Sequence, residues 1–216
     1  MATATLRKAG RLIHYKNQII KKSFLIITAI AGIATASLVF ISCTSDANAE
    51  KTGEVIISKD SLVKRGAYLV NAVGCDDCHS PKIFTPTGFE IDMEHRFGGH
   101  PAKSTLGKAN TGVIKDGYML FALDLTSAVG PWGQSYAANI SSDATGIGNW
   151  TEEQFFRALR EGKSKGLKES RPLLPPMPWF VYKNFSDTDI RAIFAFLKST
   201  KPVENRVPAP KAPNEL

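Results

Sequence analysis

The alternation of apolar and polar positions divides the chain into a leader, a tether and a folded body. Residues 23–42, SFLIITAIAGIATASLVFIS, run for twenty positions with no charge and no polar face, which is bilayer length. From Thr44 to about Ser58 the residues are small, polar and aperiodic, the pattern of a flexible tether. A helical period then starts near Asp60-Ser61, puts Leu62, Gly66, Leu69, Val70 and Val73 on one side, and runs into Cys75. Glycine at position 66 weakens an isolated helix by about 1 kcal/mol relative to alanine. It reads either as incidental or as the place where another helix passes close to the backbone. A second helix is signalled by Thr151 as N-cap with Gln154 three residues on, Phe155, Phe156 and Leu159 facing inward, and Gly162 as its stop. A third opens at Ser186 with Asp189 in the equivalent place, buries Ile190, Ile193, Phe194 and Leu197, and halts at Lys201-Pro202. Between Pro81 and Asn149 the turn chemistry of Gly98-Gly99-His100-Pro101 and Gly130-Pro131-Trp132-Gly133 replaces any sustained period. That stretch reads as a long irregular insertion, which a compact domain tolerates when something other than secondary structure, such as a large ligand, organises it. The body spans 59–206, and the proline-rich tail 207–216 is expected to lie extended over its surface.

A length of 216 residues fits one domain with room for tails, and 43% hydrophobic with 22% charged residues excludes a disordered chain and a polytopic membrane protein. The formal charge of +7 would suggest nucleic acid if it were spread over the body. It is not: Arg7, Lys8, Arg11, Lys16, Lys21 and Lys22 precede residue 43 with no acid among them, so residues 43–216 hold 21 basic against 20 acidic side chains, a net of +1. No nucleic-acid partner is expected. The basic flank holds the amino terminus in the cytoplasm, so residues 1–42 are a signal or anchor segment and everything beyond lies outside the membrane. Three endings are open. Phe40-Ile41-Ser42-Cys43 resembles the lipobox of bacterial lipoproteins, with Cys43 as the lipidated residue; Ala47-Asn48-Ala49 resembles an ordinary A-x-A cleavage site; or the helix stays uncleaved as the anchor. The expected location is the periplasmic side of a bacterial membrane, lipid-anchored through Cys43, with a transmembrane anchor or a soluble periplasmic protein as the alternatives.

The cysteines number three, Cys43, Cys75 and Cys78, too few and too closely spaced for a disulfide framework. Cys75-Asp76-Asp77-Cys78-His79 is C-x-x-C-H, the attachment sequence of c-type haem. A short turn after a helix presents two thiols to the two porphyrin vinyl groups while the adjacent histidine reaches the iron. A thioredoxin-like site wants a βαβ setting that the flanks do not supply, and a zinc site wants a second Cys or His pair at ligand spacing. The expected cofactor is one covalent haem c. The sixth ligand decides function, because an iron with two strong protein ligands does little except exchange electrons. Met93, Met119, Met177, His95 and His100 are the candidates. Met177 stands out, since the prolines of Leu173-Leu174-Pro175-Pro176-Met177-Pro178-Trp179 stiffen an extended segment that could hold a thioether toward the iron.

These segments, Gly66-Ala67-Tyr68-Leu69-Val70, the C-D-D-C-H run, Asn139-Ile140, Thr145 to Phe155, Ala158-Leu159-Arg160, Pro175 to Trp179 and Asp189 to Phe194, resemble a single-haem class I cytochrome c. The likeness is to modules of the cytochrome c subunits that accompany bacterial membrane-bound alcohol and gluconate dehydrogenases. It implies an all-α fold of three or more helices around a covalent haem, with the 81–149 insertion between the motif and the middle helix. It further implies that the first and last helices cross near Gly66 and Phe194, that His79 and Met177 are the axial ligands, and that electron transfer is the activity. Those subunits usually carry three haem motifs and this chain has one, which leaves two readings: a free-standing carrier, or the cytochrome subunit of a dehydrogenase complex. Trp150, Arg171 and Trp179 carry donors suited to haem propionates, with core packing as the other role for the tryptophans. The run Arg157, Arg160, Lys163, Lys165, Lys168 and Arg171 is either a docking patch for an acidic partner or a solvated face. The expected role is a carrier moving electrons from a dehydrogenase or quinol oxidase to an oxidase or another cytochrome. The alternatives are a haem enzyme such as a peroxidase with an open sixth position and a gas or redox sensor, for which no output domain is recognisable.

Overall fold

A computed structural model describes residues 58–216 of the chain. The apolar run 23–42, Cys43 and Ala47-Asn48-Ala49 lie outside the described residues, and among those described no helix is long and apolar enough to cross a membrane. Helix α1, Lys59–Ala72, begins where the Ser58 hydroxyl accepts the amide of Ser61. A short helix α2, Cys75–His79, follows at once after Gly74. Two small sheets come next. The hairpin β1, Lys82–Thr85, and β2, Gly88–Ile91, pairs Lys82 with Ile91 and Phe84 with Phe89. After a single turn of helix α3, Gly112–Lys115, the strands β3, Leu120–Phe121, β4, Ser127–Gly130, and β5, Gly133–Tyr136, form an antiparallel sheet in that order. Helices α4, Glu152–Glu161, α5, Trp179–Tyr182, and α6, Asp187–Lys198, complete the described elements with two short 3-10 turns.

The all-α expectation is therefore corrected: the segment from 82 to 136 carries two sheets. The strands escape a periodicity search because they are two to four residues long. β4 is Ser-Ala-Val-Gly, buried on both faces, so the polar-apolar alternation of a half-buried strand never appears in it. Nor does the tail merely drape over the surface. Lys211 pairs with Gln134 through two backbone hydrogen bonds of 2.9 and 3.0 Å, covering the outer edge of β5.

Helices α4 and α6 carry the caps their sequences signal, and α1 is capped by Ser58, the residue at which the expected tether ends. Thr151 and Gln154 form a reciprocal capping box at the start of α4. Gly162 ends that helix at φ +64°, and a side chain there would also strike the ring of Trp179. Ser186 caps α6 by accepting the amide of Asp189, whose carboxylate in turn accepts from Arg65 of α1 at 2.9 Å. Leu69 and Val70 of α1, Phe155 and Leu159 of α4, and Ile190, Ala192, Ile193 and Leu197 of α6 form one core with Phe97 and Ile147. The long helices α1 and α6 make its main contact. At their closest approach a Cβ on Gly66 would stand 1.9 Å from the carbonyl oxygen of Ala192 and 2.7 Å from Cβ of Phe196. The partners of Gly66 are thus Ala192 and Phe196, while Phe194 turns toward α4 and meets the Phe155 ring at 5.0 Å. Positions 192 and 196 are one turn apart on a single face of α6, and 194 projects about 160° round the helix from 196.

Gly66→Ala would gain about 1 kcal/mol of helix propensity but force two backbones apart, an overpacking cost of about 1–3 kcal/mol or more. The expected outcome is net destabilisation, read as a lower denaturant midpoint with unchanged slope, whereas Gly107→Ala, with nothing within 4 Å, leaves the midpoint in place.

Candidate functional site

Helix α2 carries the C-x-x-C-H motif, and its shape follows from a set of hydrogen bonds made by residues other than the cysteines. Asp76 is buried, and its carboxylate accepts from Arg96 at 2.9 and 2.6 Å and from the Ser80 hydroxyl at 2.7 Å. Burial alone would raise this carboxyl, but the bonds from Arg96 and Ser80 hold it below its ordinary pKa. Arg96 also reaches Asn71 of α1 at 2.9 Å, and the Ser80 hydroxyl accepts the amide of Phe97. One guanidinium and one hydroxyl thereby tie α1, α2 and the 96–97 segment together. At the other end of α2, Lys82 donates to the carbonyls of Asp76, Asp77 and Ser80 at 2.9, 2.5 and 2.6 Å.

Cys75 and Cys78 are free thiols, three residues apart on the helix and half-buried. Burial, followed by the negative charge of Asp76 and Asp77, pushes Cys75 up to about 12. Cys78 is raised as well, mainly by burial. Tyr182 lies alongside; its hydroxyl donates to the Val73 carbonyl at 3.3 Å, and burial pushes it up to about 12. Cys75 borders the hydrophobic core, as do Tyr182, Trp150 and Met177.

His79 presents a fixed tautomer. Its Nδ1 lies 2.7 Å from the Ala138 carbonyl oxygen, which can only accept, so Nδ1 carries the proton and Nε2 holds a lone pair. Burial lowers its pKa against the opposing pull of that bond, which keeps the imidazole neutral at pH 7. The carbonyl is itself held in place. Ala137 donates to Thr126 at 2.8 Å and accepts from His100 at 2.9 Å, while Ile140 donates to Phe97 at 2.9 Å. The continuation of β5 therefore orients the histidine.

The same strand reaches the methionine. The Ser135 hydroxyl donates to the Pro175 carbonyl at 2.7 Å, and the turn beyond closes with Met177 N–H on Leu174 and Trp179 N–H on Met177, at 3.3 and 3.0 Å. Met177 is half-buried against the core. The other sequence candidates are placed differently. Met93 and Met119 are exposed, and His95 is exposed and paired with Asp92 at 2.7 Å. His100 is buried, but its Nδ1 is bonded to Thr126 at 2.7 Å and its ring lies 4.8 Å from that of Tyr136. Trp150 and Trp179 are half-buried, and among the described residues neither indole N–H meets a protein acceptor. Arg171 is exposed and donates to its neighbour's carbonyl, Pro172, at 2.8 Å. In the basic run, Arg157 is held by Glu153 and the Gly166 carbonyl and Arg160 by Asp187 and the Lys183 carbonyl, while Lys165 and Lys168 face solvent. Both guanidinium groups that α4 contributes to that run are thus engaged inside the molecule.

Sequence reasoning missed Asp76, Arg96 and Lys82. Two aspartates inside a C-x-x-C-H motif are a visible oddity, but the partner of Asp76 lies twenty residues away in a stretch without period. Ala138 acts through its backbone, and its side chain carries no signal at all.

No family model matches the chain. Individual proteins do. It is 38% identical over 150 residues to a nicotinate dehydrogenase subunit of Pseudomonas putida, 69% of this chain and 9% of that one. It is 33% identical over 148 residues to the gluconate 2-dehydrogenase cytochrome c subunit of Pantoea cypripedii, 68% and 25% of the two chains. It is 39% identical over 152 residues to the fructose dehydrogenase cytochrome subunit of Gluconobacter japonicus, 69% and 23%. The chain spans a quarter or less of the length of each. Over roughly two thirds of its own length, the chain is a homologue of the cytochrome c subunits of bacterial dehydrogenases, matching one portion of each.

Proposed function

We propose that the chain is an electron carrier tethered on the periplasmic side of a bacterial membrane, holding one haem c through thioether bonds to Cys75 and Cys78, with His79 and Met177 as axial ligands. Relatives that are cytochrome subunits of dehydrogenases support a cytochrome fold and an electron-transfer subunit in preference to an enzyme. The observation that carries the site assignment is the tautomer of His79, whose Nδ1 proton is fixed by Ala138 so that Nε2 alone is left to ligate. Bound there, the iron porphyrin supplies one-electron exchange without bond making or breaking.

The donor set fits that group. Cys75 and Cys78 share a helix face at i, i+3 and are protonated thiols, free of a disulfide. Met177 offers a soft thioether, which favours ferrous iron and raises the potential relative to a second histidine. Its segment is fastened to β5 through Ser135 and Pro175. A methionine held on the iron would keep peroxide from it, which is what separates the carrier from the peroxidase reading. Trp150 and Trp179 have indole donors to spare for propionates; Arg171, exposed and bonded to Pro172, fits that role less well.

The proposed donor is a dehydrogenase, since the relatives are named as cytochrome subunits of dehydrogenases; a quinol oxidase as alternative donor, and an oxidase or another cytochrome as acceptor, belong to the same proposal. The membrane tether is assigned to Cys43 or to the apolar segment before it. One acyl chain binds a membrane only marginally, whereas the two or three of a bacterial lipoprotein hold firmly.

Thioether attachment predicts that haem stays with the denatured chain through acid-acetone extraction, and extraction of the haem contradicts the assignment. Met177→Ala is expected to abolish the sulfur-to-iron absorption band of the ferric protein and lower its potential, while Met93→Ala and Met119→Ala leave both unchanged. Cys43→Ser is expected to block maturation and leave the precursor in the inner membrane. A wild-type chain recovered as a soluble periplasmic protein starting at Glu50 would instead place cleavage after Ala47-Asn48-Ala49.

A further inference from the structure

We propose that Lys82 is a positioning residue of the haem site that also fixes a positive charge beside it, holding α2 in shape and raising the reduction potential. The inference rests on the haem reading above and extends it to a residue outside the motif.

The C-terminal end of a helix leaves carbonyls without intrahelical partners, and in a helix as short as α2 that describes most of its acceptors. Ser80 N–H returns to Asp76 at 3.2 Å. Gly99 N–H takes the His79 carbonyl at 2.8 Å, and one ammonium group gathers the carbonyls of Asp76, Asp77 and Ser80, all within 2.9 Å of Lys82 Nζ. An ammonium has three protons and a neutral amine only two, so three acceptors at these distances call for the charged form. Burial lowers the pKa of Lys82, and the nearby Cys78, Asp124, Asp77 and Asp76 act in the opposite direction. The side chain is half-buried, which weakens solvent screening of its charge.

Its position is set by the fold. Lys82 is the first residue of β1 and pairs with Ile91 of β2, so the hairpin fixes its backbone while Nζ reaches back over the end of α2. Arg96 clamps the same helix from the Asp76 side chain, but there the carboxylate neutralises the guanidinium. The hydrogen-bond acceptors of Lys82 are carbonyl oxygens carrying no formal charge, so Lys82 is not locked in an ion pair, and the carboxylates of Asp124, Asp77 and Asp76 act on it only from a distance. Ferric haem carries one more positive charge than ferrous haem, and a fixed cation nearby disfavours the ferric form. Lys82 therefore acts on the iron through the field and through the helix that presents Cys78 and His79.

The test uses the full-length holoprotein with three substitutions: Lys82→Met, which keeps the stem and removes the charge, Lys82→Arg, which keeps the charge, and Lys103→Met on an exposed loop. Haem content after denaturing extraction is measured first; loss of covalent haem from the unmutated protein would strike the haem reading itself. With covalent haem present, Lys82→Met is expected to shift the oxidised-to-reduced ratio at a fixed poise about three- to thirty-fold toward the oxidised form. Lys82→Arg is expected to restore most of that shift, and Lys103→Met to leave the ratio within twofold. If Lys82→Met lowers thermal stability but moves the ratio by less than twofold, or if Lys82→Arg behaves like Lys82→Met, the proposal is overturned and Lys82 is a helix cap only.

Discussion

The close crossing of α1 on α6 at Gly66 is the constraint from which the rest of the structure follows. With the Ala192 carbonyl 1.9 Å from where a Cβ would stand, no side chain is compatible with that approach. Two helices this close pack Leu69 and Val70 against Ile190 and Ile193 and fix where α1 ends, and its end is where the C-x-x-C-H turn begins. The chain leaving α6 is then fastened to the segments on the other side of the site. Asn139 donates to the Val203 carbonyl at 2.7 Å, and the Asn205 side chain donates to the carbonyls of Gly98 and His100 at 2.7 and 2.8 Å. A helix crossing that needs a glycine thus sets the frame in which Cys75 and Met177 border one core, with Cys78 and His79 following Cys75 on α2.

The segment between the motif and α4 turns out to be the structural support of the site. β5 contributes Ser135 to hold Pro175, two residues before Met177, and continues into Ala138, whose carbonyl orients His79. Both proposed axial ligands are therefore fastened to one strand and its extension. The hairpin β1–β2 delivers Lys82 to the end of α2. Each of these contacts uses a backbone carbonyl or a small hydroxyl, which lets the segment act on the site without placing any metal-binding side chain in it.

Helices α4 and α6 were legible in the sequence because each carries a cap and an apolar stripe of period 3.6, Thr151 with Gln154 and Ser186 with Asp189, and α1 was legible from its stripe; the single turns α3 and α5 have no side-chain cap and gave no such signal. The helix partner of Gly66 was legible as a possibility, since an interior glycine needs a reason, although the face it meets carries Ala192 and Phe196. The sheets were not legible. Strands of two to four residues with small buried side chains give no period, and their pairing is decided by contacts distant in sequence. At the site, the motif residues announce themselves by chemical type and spacing. Ala138 and Ser135 do not, because a backbone carbonyl has no residue signature and a serine is common everywhere.

The central claim is that the iron would have both axial positions filled by the protein, His79 on one side and Met177 on the other. The most direct test is the optical spectrum of the unmutated, reduced protein before and after carbon monoxide is added. A closed site predicts the sharp absorption bands of low-spin ferrous haem c, unchanged by the gas on a timescale of seconds. Rapid formation of a carbon monoxide complex would contradict the account, leaving an open iron and the chemistry of a haem enzyme.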